Sequence, residues 1–247
     1  MWNGNAISLR PLVLAVSLMM LGGCEAPVSS TEASGLLPGL EPPAVRHQVD
    51  VRRSRVWFVG TESVTMHEAS RPERRVLVLP DWIVADVLDA GPPGLALGPG
   101  GEAVVTSNVL PVLWRIDPET LAVSTHPLAL DADTDKDVGF SGLVYSAQHA
   151  AYFAVNSTLG SLWRIDRELT RAQKIPVSPS IAGAWGLEIP PRSARHALAR
   201  TVDLCAYTPR GGLSVRFAPD QRSAYAASVA ACAEASGLPP VAMLKGE

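Results

Sequence analysis

The sequence predicts an all-β protein assembled from repeated four-stranded units. The pentapeptide LWRID occurs twice, at residues 113–117 and 162–166. The 247 residues include 20 glycines and 21 prolines, and this density of turn-forming residues favours many short strands over long helices. Hydrophobic residues make up 47% of the chain, so a buried core can form. The net charge of −3 excludes a basic surface of the kind that binds nucleic acid.

The first 23 residues have the layout of a secretory signal peptide. One charged residue, Arg10, precedes an apolar run from Leu12 to Leu21, and small residues follow. The run is too short to be a stable membrane span with these flanks, and an uncleaved anchor helix is the alternative. The sequence therefore predicts a signal peptide over residues 1–23.

The end of this run, Leu21-Gly22-Gly23-Cys24, resembles the lipobox of bacterial lipoproteins. The resemblance implies cleavage before Cys24, acylation of that cysteine with palmitate, and attachment to the cell envelope. Glu25 implies the outer membrane, with the protein facing the periplasm. Residues 24–45 contain four prolines and no apolar period, which predicts a flexible tether to a folded domain of residues 46–247.

The two LWRID copies belong to longer repeats. Each repeat begins with the pattern G-x-x-G-L, and successive starts are 48 and 44 residues apart. In the first two repeats an asparagine stands fourteen residues after the second glycine. Chance rarely supplies shared flanks in the same order, so the repeat is real. The starts are Gly91, Gly139 and Gly183, and the asparagines are Asn108 and Asn156.

Each repeat is predicted to form four short strands. Side chains alternate along a strand, so Trp114 and Ile116 share one face, which needs a neighbouring sheet to cover it. Trp114 and its counterpart Trp163 are therefore predicted to lie between adjacent units. A period of roughly 40–50 residues with four strands is typical of propeller blades. A degenerate earlier unit near Arg55 brings the expected number to about four.

The strings GLALGPGGE and WRIDPET resemble the blades of bacterial YVTN, SMP-30 and NHL propellers. The resemblance implies a β-propeller-like fold with about four four-stranded blades. A four-bladed closure, an open arc and an incomplete propeller finished by another chain all stay open. An alanine-rich segment after residue 225 predicts a short C-terminal helical tail.

Two cysteines, Cys205 and Cys232, remain beyond Cys24. In an exported protein such a pair predicts a disulfide, with two independent buried thiols as the alternative. A bridge between them would pin the helical tail to the domain.

The sequence contains no standard catalytic motif, whether a nucleophile elbow, an H-E-x-x-H zinc motif or a phosphate loop. The carboxylates of Asp131, Asp133 and Asp135 alternate as they do in calcium loops. Lys136, however, stands where an EF-hand needs glycine. A solvated acidic loop is therefore favoured, with an irregular Ca²⁺ site as the alternative.

A second metal hypothesis follows from the resemblance to SMP-30-like lactonases, which hold a metal at the propeller axis with Glu, Asn and Asp. The resemblance implies Asn108, Asn156 and Glu188 as ligands. The equivalent position in the third repeat is Arg200, and asparagine at a strand end is also an ordinary turn residue.

These observations favour a lipid-anchored envelope protein whose propeller-like domain binds or scaffolds without catalysis and without a cofactor. Its expected partners are the membrane, through the anchor, and an envelope protein or small ligand, but not nucleic acid. The alternative is a metal-dependent, lactonase-like hydrolase with its site at the propeller axis. A degraded paralogue without a ligand is a third hypothesis, since the repeat decays at both ends.

Overall fold

The computed structural model describes residues 46–132, 139–190, 202–208 and 211–228, together with Cys232. These residues form eighteen strands and one short helix, α1 (Val87–Ala90). None of the helical residues in these ranges belongs to a segment long and apolar enough to cross a membrane. The described part of the chain is thus all-β, as the sequence predicts. The expected signal peptide and the tether lie outside the described residues. The expected helical tail is wrong for residues 226–228, which belong to a strand, and apart from Cys232 the rest of it lies outside the described residues.

Four sheets follow one another along the chain, and we name them blades 1 to 4. The first two are four-stranded and antiparallel, with sequential neighbours paired. Blade 1 consists of β1 (Arg46–Asp50), β2 (Arg55–Val59), β3 (Val64–Glu68) and β4 (Arg71–Leu77). Blade 2 consists of β5 (Leu95–Leu97), β6 (Ala103–Thr106), β7 (Val112–Ile116) and β8 (Val123–Pro127).

Blades 3 and 4 each carry a fifth strand that the repeat did not predict. The added strand comes from the connection after the preceding blade and pairs in parallel with the outer strand. Blade 3 has β10 (Gly142–Ser146), β11 (Ala151–Asn156), β12 (Ser161–Ile165) and β13 (Arg171–Ile175), with β9 (Ala129–Leu130) added. Blade 4 has β15 (Gly186–Glu188), β16 (Leu204–Thr208), β17 (Gly211–Phe217) and β18 (Ala224–Ser228), with β14 (Val177–Ser178) added.

The first strands of successive blades lie side by side, and small residues allow this close approach. A Cβ atom on Gly94 would lie 2.7 Å from the Cβ atom of Leu143. A Cβ atom on Gly142 would lie 3.1 Å from the Cα atom of Gly186. The second glycine of G-x-x-G-L is therefore required for packing one inner strand against the next.

Buried side chains fill the three spaces between consecutive blades. Each cluster combines one face of a blade with the facing side of the next, as expected for stacked sheets. The largest members are Trp57 and Trp114 between blades 1 and 2, Phe140, Tyr152 and Trp163 between blades 2 and 3, and Phe153 and Phe217 between blades 3 and 4.

The repeated tryptophans occupy equivalent places in β7 and β12. Trp114 is 1% exposed and packs towards blade 1, whereas Trp163 is 0% exposed and packs towards blade 2. The Nε1 atom of Trp114 donates to the carbonyl of Pro80 at 2.8 Å, and that of Trp163 donates to Ser161 Oγ at 3.0 Å. Both indoles are thus buried with their polar atom paired, which is the inter-blade position predicted from LWRID.

The aspartate that ends each LWRID copy stabilises the following turn. Asp117 Oδ1 accepts the backbone N–H groups of Glu119 and Thr120 at 2.9 and 2.7 Å. Asp166 Oδ1 accepts the backbone N–H of Thr170 at 2.6 Å. Bonds of this kind favour the charged carboxylate, and those from Thr120 and Glu119 hold the pKa of Asp117 below its usual value.

A disulfide joins Cys205 to Cys232, which confirms that prediction. Cys205 lies on the face of blade 4 that points away from blade 3, and it forms a separate buried cluster with Tyr207 and Cys232. A Cβ atom on Gly212 would lie 2.4 Å from the carbonyl oxygen of Cys232. Cys232 therefore covers the last face of the array, as capping elements do in repeat proteins.

The first face of the array has no such cover among the described residues. Register places seven side chains of blade 1 on the face opposite Trp57, and none of them belongs to a core cluster. We call this surface the open face of blade 1. It consists of His47, Val49, Val56, Phe58, Thr65, His67 and Val76.

Candidate functional site

Arg46, at the start of β1, contacts all three of the other blades. Its Nε atom donates to the carbonyl of Pro93 at 3.0 Å, and its Nη2 atom donates to the carbonyls of Ser141, at 2.9 Å, and Trp185. These three acceptors are equivalent, because each immediately precedes the second glycine of G-x-x-G-L. One side chain thus joins the starts of all four inner strands, where the propeller axis lies.

The environment of Arg46 keeps a positive charge at this place. Its guanidinium carbon lies 5.6 Å from the centre of the Trp185 ring, within the range of a cation–π contact. Burial lowers the pKa of Arg46 to about 10, which leaves the group charged at neutral pH. A metal cation at the same end of the axis would be repelled by this charge.

Asn108 and Asn156 make the same hydrogen bond in blades 2 and 3. Their Nδ2 atoms donate to the carbonyls of Gly91 and Gly139, both at 2.8 Å. Each glycine is the first of the G-x-x-G-L motif in its own blade. The repeated asparagine therefore ties the loop after the second strand to the segment that leads into the first strand.

The described donors fit an axial metal poorly. The Oδ1 atoms of Asn108 and Asn156 each accept a backbone N–H, at 2.8 and 2.6 Å. Glu188 lies on the inner strand of blade 4, as predicted, and its Oε2 atom accepts the hydroxyl of Tyr207 at 2.6 Å. No cluster of three His, Cys, Asp or Glu side chains suited to a metal is found in the described part of the chain. The axial metal stays a prediction.

The acidic loop is only partly described. Asp131 is exposed after β9, and its Oδ1 atom accepts the backbone N–H of Lys174 at 2.8 Å. Asp133 and Asp135 lie outside the described residues, as does Arg200. The calcium-loop alternative therefore also stays a prediction.

A polar groove of about 540 Å³ lies where blades 2 and 3 meet. Nine of its ten lining residues come from blade 2, from strands β7 and β8 and the loops of that blade, and the tenth, Arg167, comes from blade 3. Glu102 precedes β6, Arg115 lies on β7, Asp117 and Ser124 flank the loop to β8, and Arg167 comes from the loop between β12 and β13. Loops held at the edge of a rigid sheet are a common place for binding residues.

The guanidinium groups of the two arginines in the groove, Arg115 and Arg167, make no hydrogen bond or ion pair to residues that the structure describes. The charge of Arg115 is nevertheless near enough to Asp117 to help lower the pKa of that carboxyl. Glu102, in contrast, accepts the hydroxyl of Tyr152 at 3.2 Å and the backbone N–H of Gly100 at 2.8 Å. The acid groups of the groove are thus engaged within the protein, while its guanidinium groups can bind a ligand.

Burial and the positive charge of Arg115 both affect the pKa of a histidine beside the groove, His126. Ser124 Oγ and His126 Nε2 lie 2.9 Å apart. Burial, and secondly the positive charge of Arg115, hold the pKa of His126 below its usual value. His126 therefore adds less positive charge to the groove than an ordinary histidine would.

The sequence did not single out Arg46, Arg115 or Arg167. Arg46 belongs to the blade in which the repeat is weakest, so no repeat position marks it. Arg115 lies inside one LWRID copy and Arg167 follows the other. Arg115 and Arg167 could have been found by comparing loops at the same edge of adjacent blades, because such loops lie side by side in a propeller.

The fold and the inter-blade contacts define a β-propeller-like protein. No protein-family model matches the chain, and no curated protein matches its sequence. Solved β-propellers are nevertheless similar in structure. Virginiamycin B lyase from Staphylococcus aureus superposes with a TM-score of 0.56 at 13% identity, over 78% of this chain and 58% of the lyase.

A second similar structure is an auxiliary nutrient binding protein from Bacteroides thetaiotaomicron. It superposes with a TM-score of 0.51 at 11% identity, over 74% of this chain and 41% of that protein. The chain thus spans less than two thirds of the length of either. At these identities the similarity establishes the fold alone.

Proposed function

We propose that this chain is a lipid-anchored envelope protein that binds a small anionic ligand in the groove between blades 2 and 3. The observation that carries the proposal is the pair of arginines, Arg115 and Arg167, that line the groove without a hydrogen-bonding or ion-pair partner among the described residues. The two carboxylates on the walls, Glu102 and Asp117, already accept hydrogen bonds from the protein, so the arginines are the charged groups left to bind a ligand.

The chemistry of the groove selects the class of ligand. Guanidinium groups present planar N–H donors that match carboxylate and phosphate oxygens. A volume of about 540 Å³ is within the range of small-molecule sites. Ser124 adds a hydroxyl on the same wall. An organic anion with one or two acid groups and a polar body fits this combination.

The contacts of Arg46 at the propeller axis are also compatible with a binding protein. Arg46 uses its donors to hold three backbone carbonyls, so it contributes to stability rather than to chemistry on a substrate. Of the two similar proteins named above, one is a lyase and the other a nutrient-binding protein. The propeller fold therefore supports both classes of function, and the choice between them rests on the groove and the axis.

The lipid anchor is the second part of the proposal, and it rests on the LGGC sequence ending at Cys24. Cells that express the protein and are fed labelled palmitate should incorporate label into it. The Cys24→Ala variant should remain a precursor without label, and a Glu25→Gln variant serves as the matched control. Equal labelling of Cys24→Ala and the parent would refute acylation at this residue.

Thermal unfolding of the protein in the presence of a panel of different small anions tests whether the groove binds an anion. The panel contains phosphate, sulfate, citrate and a hexuronate, with glycerol and glucose as neutral compounds. At least one anion should raise the melting temperature saturably, because a ligand that binds the native state stabilises it. Arg115→Gln and Arg167→Gln should each abolish the increase, and Arg171→Gln, an exposed arginine outside the groove, should retain it. An increase of equal size in all three variants would refute the groove as the site.

A further inference from the structure

Blade 1 is the basic part of an acidic protein. Residues 46–77 contain seven arginines and four carboxylates, a net charge of +3, whereas the whole chain carries −3. Three of these arginines lie on β4, the outer strand of the blade. All three are exposed, and the side chain of Arg71 is 59% exposed. The β4 arginines are Arg71, Arg74 and Arg75.

The same blade carries an unusual share of exposed aliphatic side chains. Val49 and Val76, on the open face of blade 1, are 52% and 53% exposed. Val51 and Val78, just beyond the ends of β1 and β4, are 81% and 75% exposed. The open face itself contains valines, Phe58 and two histidines at its strand positions, and no carboxylate.

By the register that defines the open face, Arg75 lies opposite Met66 on the face of Trp57, and Arg71 pairs with Glu68 at 4.0 Å. The arginines thus line the outer edge of the blade, beside the open face. An apolar face beside a basic edge is the pattern of proteins that bind at a membrane interface.

Blade 1 directly follows the tether in the sequence, so the proposed lipid anchor would hold its surface near a membrane. β1 begins at Arg46, so only residues 25–45 separate it from Cys24. A chain of this length and composition keeps the blade within a few tens of ångströms of the anchor, since its mean span is roughly 25 Å. Anionic headgroups would then lie within reach of the β4 arginines.

We propose that the open face of blade 1 and the arginines of β4 dock on the anionic phospholipid surface that holds the lipid anchor. This proposal rests on the anchor proposed for Cys24. Docking would fix the orientation of the domain, with blade 1 on the membrane and the later blades, including the groove, held away from it. A basic patch would add electrostatic attraction to the hydrophobic attachment that the acylated cysteine provides.

Two other occupants of the surface are less consistent with its charge. A second copy of the chain placed face to face would bring together two blades of net charge +3. Head-to-tail stacking on blade 4 would meet the face that Cys232 covers. Another chain that completes the propeller is a further alternative, and so is a purely protective role, because charged residues on an outer strand also prevent edge-to-edge aggregation.

Vesicle flotation tests the proposal. The sample is the chain from residue 24 onward with Cys24→Ser, so that no acyl group contributes. It should float with phosphatidylglycerol vesicles at low salt, bind phosphatidylcholine vesicles weakly, and lose binding as salt screens the arginines. Each arginine near an anionic surface contributes about fivefold in affinity, so a triple Arg71→Gln, Arg74→Gln, Arg75→Gln variant should bind on the order of 100-fold more weakly.

A second triple variant with the same change in charge tests whether vesicle binding depends on the β4 arginines or only on the net charge of the protein. The triple variant Arg171→Gln, Arg216→Gln, Arg222→Gln removes three exposed arginines from blades 3 and 4, and it should bind vesicles like the parent. Equal loss in both triple variants, or no binding by the parent, would overturn the docking proposal while leaving palmitate labelling of Cys24 intact. A β4 variant that only aggregates or changes oligomeric state, with vesicle binding unchanged, would assign the arginines to edge protection or self-association instead.

Discussion

The guanidinium of Arg46 donates a 2.9 Å hydrogen bond to the carbonyl of Ser141, although the two residues belong to blades 1 and 3. Parallel bonds to Pro93 and Trp185 make this arginine the common link of the inner strands. The three carbonyls, each just before the second glycine of a repeat, have no other hydrogen-bond donor among the residues that the structure describes. Arg46 satisfies them together.

Replacing Arg46 should therefore loosen all four blades at once. Arg46→Met removes the donors but keeps much of the stem, and it should lower the free energy of unfolding by about 3 kcal/mol, because charged donors to buried carbonyls are lost. Arg46→Lys should recover only part of this, since one ammonium group does not match the planar donors of a guanidinium. Urea unfolding measures both. Arg52→Met, at an exposed position, is the control and should stay within about 0.5 kcal/mol of the parent.

Truncating either repeated tryptophan should cost a large part of the stability. Trp114→Ala and Trp163→Ala each empty a buried site between blades, and about 3–5 kcal/mol is expected for each. The parent should also show short-wavelength tryptophan emission that resists quenching by acrylamide. Tyr225→Ala, which truncates a 61% exposed ring, is the control. Parent-like unfolding of both tryptophan variants would contradict the blade-packing role of LWRID.

The disulfide should stabilise the last blade by closing a loop. Cys205 and Cys232 are 27 residues apart, for which loop-closure entropy predicts about 3–4 kcal/mol. Cys232→Ser in a Cys24→Ser background should show this loss in urea, and adding reductant to the Cys24→Ser parent should reproduce it. Mass analysis without reductant should find the two cysteine peptides joined. Free alkylation of both cysteines in the exported, folded protein would be inconsistent with the bridge.

The aspartates that end the two LWRID copies should make the free energy of unfolding depend on pH in the acid range. The pKa of Asp117 lies below its ordinary value of 3.8, chiefly because the backbone N–H groups of Thr120 and Glu119 stabilise the carboxylate. A lowered folded-state pKa contributes stability that is present above the unfolded pKa and is lost as pH falls through the folded one. Asp117→Asn should therefore be less stable at pH 7 and should decline less steeply below about pH 4.

Melting temperature measured against pH tests this linkage. Asp166 has the same position in blade 3, so Asp166→Asn should behave alike. Asp81→Asn, an exposed carboxylate outside both turns, is the matched control and should follow the parent curve. A decline of equal steepness in Asp117→Asn and the parent would show that the turn carboxylate does not contribute.

Most of the fold could be predicted from the repeat, because packing between blades requires particular residue types at fixed positions of each repeat. Trp114 and Trp163 mark the strand that must be covered by the neighbouring blade, and Gly94 and Gly142 mark the close approach of inner strands. No residue pattern in the sequence predicted the added strands β9 and β14. They are two residues long and pair through the backbone, so their side chains carry no periodic signal.

The candidate site was less predictable, for two physical reasons. Asn108 and Asn156 were candidate metal ligands because they repeat, but a repeated residue can equally serve a repeated backbone bond, and both donate to a motif glycine. Arg115 and Arg167 are not counterparts of each other, because Arg164 corresponds to Arg115 and Pro118 to Arg167. They meet only because loops of adjacent blades share one edge, which depends on the three-dimensional stacking of the blades.

Arginine side-chain NMR during an anion titration tests the central claim most directly. The sample is ¹⁵N-arginine-labelled protein, with Nε–Hε signals assigned by Arg→Gln variants, and the anion is the one that gives the largest rise in melting temperature. The account predicts that the signals of Arg115 and Arg167 shift together along one saturating curve, while those of Arg46 and Arg171 stay in place. Saturable shifts at Arg46 without any at Arg115 and Arg167, or no saturable shift at any arginine, would contradict ligand binding in the groove between blades 2 and 3.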